Sequence, residues 1–503
     1  MNLDSTTTPP QAFNAAAREI FERRVFAGAR FGLAVHDVAL KRPLYEYNSH
    51  EIFVAASTTK IPTVTFALAL LGPDFRFRTR LVRSGELDST GTLHGDLVLI
   101  AAGDPNLSGR VTPDDKLDFQ NIDHSIGGPK ARVVERNPLQ VIAAFAEGVR
   151  NAGIRRVTGT VLVDTQLFPE GHREPGSYAI VSPVAVNDNL IDLIVTASGR
   201  VGERLSYRIL PQSGYVRFID LATTGESESE PALAFSSERR ELDGTWSVII
   251  TGTVPAGTTY LATFAVESPS RFARTLLVEA LATKGVVIEG GLFGSSVTPV
   301  ATSADTEVVF EHASPPLSEA AKVVMKVSQN LHAEMLMPVI GATLRGARGA
   351  AAAAAGYTCG AELLAGWGVD MTGACQGDAA GSYGFFSPDF MCRLLVHISS
   401  SDIAEPFMAS LPVMGCDGTL CDIQLTSPAA GQVRAKTGTI FYPDCLHGGF
   451  FFPAKGLAGY VDAKSGRRLA FTTYLNHFNR KSSSDPDPAQ VLGELAAAIY
   501  EYL

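Results

Sequence analysis

Lysine is scarce in this chain. Of 42 basic residues only 11 are Lys and 31 are Arg, so surface charge is carried mostly by a side chain that never gives up its proton. Long apolar runs are missing as well, and none approaches the roughly 18 residues that a membrane-spanning helix needs. Positive charge is not in excess: the net charge is -10, and no stretch combines clustered basic residues with interleaved aromatics, which argues against a nucleic-acid-binding surface. A substrate held by positive charge alone, such as a polyanion, is disfavoured on the same ground. Residues 1–30 lack the basic segment and apolar core of a secretory signal, and Met1 to Gln11 is a polar Thr/Pro-rich lead-in. The chain then reads either as cytoplasmic or as a mature form whose export segment has been removed.

Cysteine is confined. All 6 lie between 359 and 445 (Cys359, Cys375, Cys392, Cys416, Cys421, Cys445). In an exported protein an even count allows up to three disulfides, with Cys416 and Cys421 the nearest pair in sequence; the other reading is small buried thiols. No C-x2-C pair is present and the histidines are scattered, so zinc is disfavoured.

What is present is chemistry built on the rare residue. Ser57-Thr58-Thr59-Lys60, Ser328-Gln329-Asn330 and Lys436-Thr437-Gly438 occur in that order, and all three contain or adjoin a lysine if Lys326 is counted. A lysine removed from water, or set beside other cations, can lose its proton near neutral pH and serve as a base. The three strings therefore supply a serine nucleophile, two amines and a carboxamide, enough to acylate and deacylate a serine without a His-Asp pair. Each string alone has a plain alternative: a helix-capping serine, a polar helix end, a surface turn. Their order and flanks make a common purpose the better reading.

With 503 residues and 46% apolar content the chain is long enough for two to four domains. Phe31 to Val38 and Leu44 to Tyr47 read as a hairpin, and a helix is expected from Ser57, with Ser57 and Lys60 on one face. Asp96 to Ala101, Leu139 to Ala152 and Val157 to Asp164 read as strand, helix and strand. Leu193 to Thr196, Leu205 to Leu210, Tyr215 to Leu221 and Trp246 to Thr253 suggest a small antiparallel β domain, with Thr223 to Glu230 as an exposed loop. Ser268 to Lys284 returns to helix. One helical pattern runs from Ala320 through Val327 to Val339, and the alanine run 350–355 leads into another helix. Val433 to Ile440, Leu457 to Asp462 and Arg468 to Tyr474 read as strands, and Pro488 to Leu503 as a closing amphipathic helix. Both ends of the chain then supply one sheet, and the middle is inserted.

The flanks carry a resemblance. Ala55 to Lys60, Gly103-Asp104-Pro105-Asn106-Leu107-Ser108, Val163-Asp164-Thr165-Gln166-Leu167-Phe168, Ser314-Pro315-Pro316-Leu317, Leu411-Pro412-Val413-Met414-Gly415 with Asp417-Gly418-Thr419-Leu420, and Arg434 to Thr439 span nearly the whole chain. Together they resemble the penicillin-binding protein and serine β-lactamase superfamily, and within it the D-alanyl-D-alanine carboxypeptidases of peptidase family S13, the class C type-4 low-molecular-mass penicillin-binding proteins. The 271 positions between Ser57 and Ser328 leave room for the inserted domains of that family.

The resemblance implies an α+β, multidomain fold. A penicillin-binding transpeptidase/β-lactamase-like domain, an antiparallel sheet flanked by helices, is expected over 12–73 and 300–503. An inserted α/β-like domain is expected over 74–189 and 263–299, and a nested small all-β domain over 190–262. It implies a serine D-alanyl-D-alanine carboxypeptidase, with DD-endopeptidase activity also open, that acts on peptidoglycan stem peptides ending in D-Ala-D-Ala and is acylated by β-lactam antibiotics. No cofactor and no metal are implied. Such a substrate places the protein in the periplasm or otherwise outside the cytoplasmic membrane, which favours the removed export segment.

By the same resemblance Lys60 is the base for Ser57, Ser328 relays a proton beside Lys436, and Asn330 holds Lys60 and the substrate amide. Lys436 and Thr437 bind the terminal carboxylate, the amides of Ser57 and Thr439 form the oxyanion hole, and Gly438 keeps the strand open to substrate. Gln329 replaces a usual Asp. Ala380 to Phe386 replaces a stretch whose Arg binds the free end of a diaminopimelate side chain, Glu170 stands where relatives carry an acidic residue for that side-chain amine, and 441–456 matches no family pattern. Two other readings share this frame: a β-lactamase or esterase, for which no convincing Glu-x-x-x-Asn is found to position water, and a non-catalytic muropeptide or penicillin sensor.

Overall fold

The computed structural model describes residues 11–241, 245–290 and 306–503. The chain divides into two compact bodies, one formed by Met1–Asp74, Leu317–Met337 and Tyr357–Leu503, the other by Phe75–Pro316 and Pro338–Gly356.

The first body is built on a five-stranded antiparallel sheet of β1 (Arg30–Asp37), β2 (Arg42–Tyr47), β3 (Val433–Pro443), β4 (Phe450–Asp462) and β5 (Arg468–Arg480). Its order is β2-β1-β5-β4-β3, so the strand carrying Lys436-Thr437-Gly438 lies at an edge. On one face, Leu33, Val35, Leu457, Val461, Leu469 and Phe471 pack with Phe13, Ala17 and Ile20 of α1 (Gln11–Phe21) and with Val491, Leu495 and Ile499 of the last helix, Pro488–Tyr502. The opposite face is covered by the helix Pro388–Ile398, whose Leu395 carbonyl accepts from Tyr460 at 2.7 Å. Because both faces are covered, β1 is buried from Phe31 to Asp37 rather than alternating. Each fully buried Leu, Ile or Phe side chain contributes roughly 1.5–3 kcal/mol, so this sandwich is the body's main source of stability.

Two helices of this body differ from expectation where function is concerned. The Ser57 helix starts as a 3-10 turn over Ala56–Thr59, and α2 proper runs Lys60–Leu71. The pattern read as one helix from Ala320 to Val339 is broken: α3 (Leu317–Lys326) ends before Val327, and α4 (Asn330–Arg345) begins after Gln329. Ser328 sits in the break with φ +65°, a left-handed conformation costing about 1–2 kcal/mol in a residue with a Cβ. Apolar periodicity does not register this gap, because buried residues continue on both sides of it.

The second body holds a six-stranded sheet in which Thr92–Ile100 pairs with Arg78–Leu87 and runs parallel to Val161–Asp164. The helices Gln140–Asn151 and Pro269–Thr283 contribute Phe145, Val149, Phe272 and Leu276 to its core. Thr306–Ala313 also pairs with Arg78–Leu87, so this strand belongs to the inserted body although a boundary at 300 had been expected; residues 291–305, where that boundary was drawn, lie outside the described residues. The small β region is mixed rather than antiparallel: Val216–Asp220 and Thr223–Gly225 run parallel to Trp246–Pro255. Thr223 to Gly225 is thus strand, not exposed loop, and Thr224 is buried.

The cysteines form no disulfide. Cys359 and Cys392 are buried thiols, while Cys375, Cys416 and Cys445 are exposed. Cys392 Sγ meets the Ala34 carbonyl at 3.3 Å, behind the sheet.

Candidate active site

Ser57 is presented by a turn that other segments hold from outside. Ala56 has φ +49°, and the Ala55 amide donates to the Gly384 carbonyl at 2.9 Å. Thr58 Oγ1 donates to the Ala55 carbonyl at 2.8 Å and meets Tyr474 Oη at 3.2 Å. Edge strand β3 comes so close that a Cβ on Gly438 would stand 2.5 Å from the Ala55 carbonyl oxygen and 3.2 Å from the Ser57 amide nitrogen. Gly438 therefore has a reason beyond leaving the strand open to substrate: nothing larger lets β3 reach the serine turn. Gly381 is tighter still, with a Cβ 2.1 Å from the Ala56 carbonyl and φ at +115°.

Lys60 is fully buried, and its Nζ donates to Ser57 Oγ at 2.8 Å, to Asn330 Oδ1 at 2.6 Å and to the Ala380 carbonyl at 2.8 Å. One amine thus joins the first two motifs. Ser57 itself is only half-buried, so its hydroxyl can meet a substrate.

The third motif completes the arrangement. Lys436 Nζ donates to Ser328 Oγ at 2.8 Å and to the Thr437 carbonyl at 2.9 Å. Burial pushes the Lys436 amine well below its ordinary pKa, and the positive charges of Lys60 and Lys455 push it further the same way. The left-handed backbone at Ser328 turns that residue out of the helical path, where it receives Lys436. Thr437 Oγ1 donates to Thr419 Oγ1 at 2.7 Å, and Thr439 is exposed on β3.

Sequence reasoning missed four contributors. The Ala380 carbonyl is invisible to side-chain motifs. Glu334, one turn after Asn330 on α4, accepts from the Ala379 and Ala380 amides at 3.2 and 2.9 Å and so holds the peptide that receives Lys60. Its carboxyl is pushed up to about 7 by burial and by the neighbouring Asp378. Asp378 caps the same loop, accepting from the amides of Gly381, Ser382 and Tyr383 at 2.7, 2.7 and 3.0 Å. Lys455 on β4 donates to Thr439 Oγ1 at 2.7 Å. The segment 380–386, singled out for a missing arginine, here forms the back of the serine turn.

Two residues have hydrogen-bond partners outside the three motifs. Lys326 points away from Ser328: it pairs with Asp417 at 2.6 Å and the Leu411 carbonyl at 2.9 Å, fixing the 411–417 loop. Glu170 lies in the second body, where it accepts from Ser182 Oγ at 2.8 Å, from the Ser270 amide and hydroxyl at 2.9 Å each, and from Ser268 Oγ at 3.4 Å. Among the described residues Asp123, His124 and Asp188 bring potential metal-ligand atoms within 4.8 Å of one another. Arg110, however, donates to Asp123 at 2.5 Å and to Asp188 at 2.9 Å, and His124 bridges Asp188 and Asp192. A cation lodged there would face a buried guanidinium.

Fold and site together define a serine hydrolase framework in which a lysine amine meets each of two serine hydroxyls. A family model described as D-Ala-D-Ala carboxypeptidase 3 (S13) family matches residues 14–496, and the chain belongs to that family. The D-alanyl-D-alanine carboxypeptidase of Actinomadura sp. (strain R39) is 30% identical to it over 508 residues, covering 96% of this chain and 83% of its own. The D-alanyl-D-alanine carboxypeptidase DacB of Haemophilus influenzae is 21% identical over 470 residues, covering 90% of this chain and 86% of its own. The crystal structure of penicillin binding protein 4 (dacB) from Haemophilus influenzae matches with a TM-score of 0.71 at 18% identity, covering 97% of this chain and 99% of that one, which shows a shared multidomain fold.

Proposed function

We propose that this protein is a serine D-alanyl-D-alanine carboxypeptidase that cleaves the terminal D-Ala from peptidoglycan stem peptides through an acyl-Ser57 intermediate, and that β-lactams acylate the same serine. The observation that carries this reading is the single Lys60 amine donating to both Ser57 Oγ and Asn330 Oδ1, beside a second serine-lysine pair, Ser328 and Lys436. Lys60 donates three hydrogen bonds as the ammonium, so it first gives up one proton; the free amine then takes the Ser57 proton as Oγ attacks the carbonyl carbon of the penultimate D-Ala. The developing oxyanion is received by the backbone amides of Ser57 and Thr439; a donor of this kind is worth roughly 3–4 kcal/mol.

The C–N bond then breaks as Ser328, with Lys436 behind it, passes its proton to the departing amine and takes in exchange the one Lys60 removed from Ser57, which leaves Lys60 a free amine again. Lys60 then takes a proton from water as the water oxygen attacks the acyl-serine ester, and returns that proton to Ser57 Oγ as the C–O bond breaks. The terminal carboxylate is bound by Lys436 and Thr437, and the substrate backbone lies along the outer edge of β3 as an added strand. Such a substrate places the work outside the cytoplasmic membrane, and no described helix is long and apolar enough to cross one. Asn330 orients the substrate amide.

Mass spectrometry after incubation with a penicillin, and separately with a peptide ending in D-Ala-D-Ala, tests the reading. A Ser57 adduct together with release of D-Ala is the expected result. Neither, in a folded sample, overturns it.

A further inference from the structure

Lys455 is a buried cation that the three motifs do not contain. It lies on β4 directly opposite Thr439 on β3 and is 9% exposed. Lys326, similarly buried, has a carboxylate at 2.6 Å. Among the described residues Lys455 has no carboxylate within ion-pairing distance, and its polar contact is Thr439 Oγ1 at 2.7 Å. The charge of Asp487 acts on it only from beyond ion-pairing distance, and a buried ammonium so placed is costly and persists where something offsets it.

The hydroxyl on which it ends has one proton and two lone pairs. When Thr439 Oγ1 accepts from an ammonium, its own O–H must point away from Lys455, and Thr439 is an exposed residue of an edge strand. The same ammonium lies near enough to Lys436 to help lower its pKa, so two groups of the site feel its charge. Burial lowers the Lys455 amine to about 8, which leaves it protonated at neutral pH and able to donate.

We infer that Lys455 is a positioning residue for Thr439: it fixes the rotor of the Thr439 hydroxyl so that the O–H is aimed outward to donate to the carboxylate end of the substrate. The inference rests on the reading of Ser57 as the nucleophile and adds a means of selecting substrates with a free terminal carboxylate. A hydrogen bond to a charged group, correctly pre-aimed, is worth about tenfold in kcat/KM.

The test compares two peptides, one ending in D-Ala-D-Ala with a free carboxylate and one with that terminus as the carboxamide, in the full-length protein. Lys455→Met is expected to lose about tenfold in kcat/KM on the acid and much less on the amide, Lys455→Arg to retain most activity on the acid, and Lys455→Met/Thr439→Val to be no worse than Thr439→Val alone. Equal losses on both peptides, or losses that multiply in the double variant, overturn the inference. If Lys455→Met fails to fold, Thr439→Ser and Thr439→Val carry the comparison: discrimination kept by Ser and lost by Val supports it, and discrimination unchanged in Val overturns it. Wild-type protein that penicillin does not acylate at Ser57 fails at the earlier step, the nucleophile assignment, so the two failures are distinguishable.

Discussion

Lys436 donates to Ser328 Oγ at 2.8 Å, the same distance at which Lys60 meets Ser57 Oγ. The site thus holds two serine-lysine pairs, one on the turn that begins α2 and one spanning the α3–α4 break and β3. Their roles differ in what each lysine must do. In the proposed mechanism Lys60 must be able to lose its proton, which makes Lys60→Arg a sharper probe than Lys60→Ala because it keeps the charge and removes the base. A loss of about 100- to 10,000-fold in penicillin acylation is expected for Lys60→Arg. Rates near wild type would show that charge alone suffices.

Gly438→Ala is expected to slow acylation and destabilise the protein by about 1–3 kcal/mol, because its Cβ would stand 2.5 Å from the Ala55 carbonyl oxygen. Gly366→Ala, at the end of the helix Ala351–Gly366, has nothing within 4 Å of the new carbon and is the matched control. Stopped-flow acylation and thermal melts of both variants check this; equal behaviour contradicts the contact argument.

Glu334 supplies a pH dependence of stability. Its folded-state pKa is raised from the ordinary 4.5 to about 7, so the folded protein holds a proton that the unfolded chain has already lost. Stability from this group is full below 4.5, falls as pH rises toward about 7, and stays reduced above it, by about 3 kcal/mol in all. Gln at 334 still accepts from both amides but does not titrate. Chemical denaturation from pH 4 to pH 8 should therefore show a decline in wild type, relative to Glu334→Gln, across that window. Parallel curves would remove the effect.

Without reductant, native protein should be alkylated by iodoacetamide at Cys375, Cys416 and Cys445, while Cys359 and Cys392 react only after unfolding. Mass spectrometry of the two samples reads this directly. A pair that stays unreactive in denaturant until a reductant is added would reveal a disulfide.

The amount legible in the sequence followed the nature of each signal. The three motifs came together because their chemistry is written in side chains, and the β1–β2 hairpin and the strands of the last segment follow apolar patterning directly. The α3–α4 break did not show, since Val327 is as buried as the helix residues before it and a left-handed serine leaves no compositional mark. The Ala380 carbonyl, and Asp378 as its loop's cap, were hidden because backbone acceptors have no residue type. Lys455 was hidden by position: it faces Thr439 only through β-strand register, a relation between residues 16 apart in a hairpin whose turn had no recognisable pattern.

The sheet also sets an order of events during synthesis. β1 pairs with β5, Arg30 opposite Asn476, so the first strand to leave the ribosome waits for one of the last. At typical elongation rates of about 5–20 residues per second, that interval is on the order of half a minute to a minute and a half. For that time the Ser57 segment has neither the strand that abuts it nor the Lys436 that completes its surroundings. A nascent or truncated chain therefore carries Ser57, the nucleophile of the proposed mechanism, in an unarmed form, and on that mechanism covalent labelling by penicillin reports that the sheet from β1 to β5 has been made and has closed.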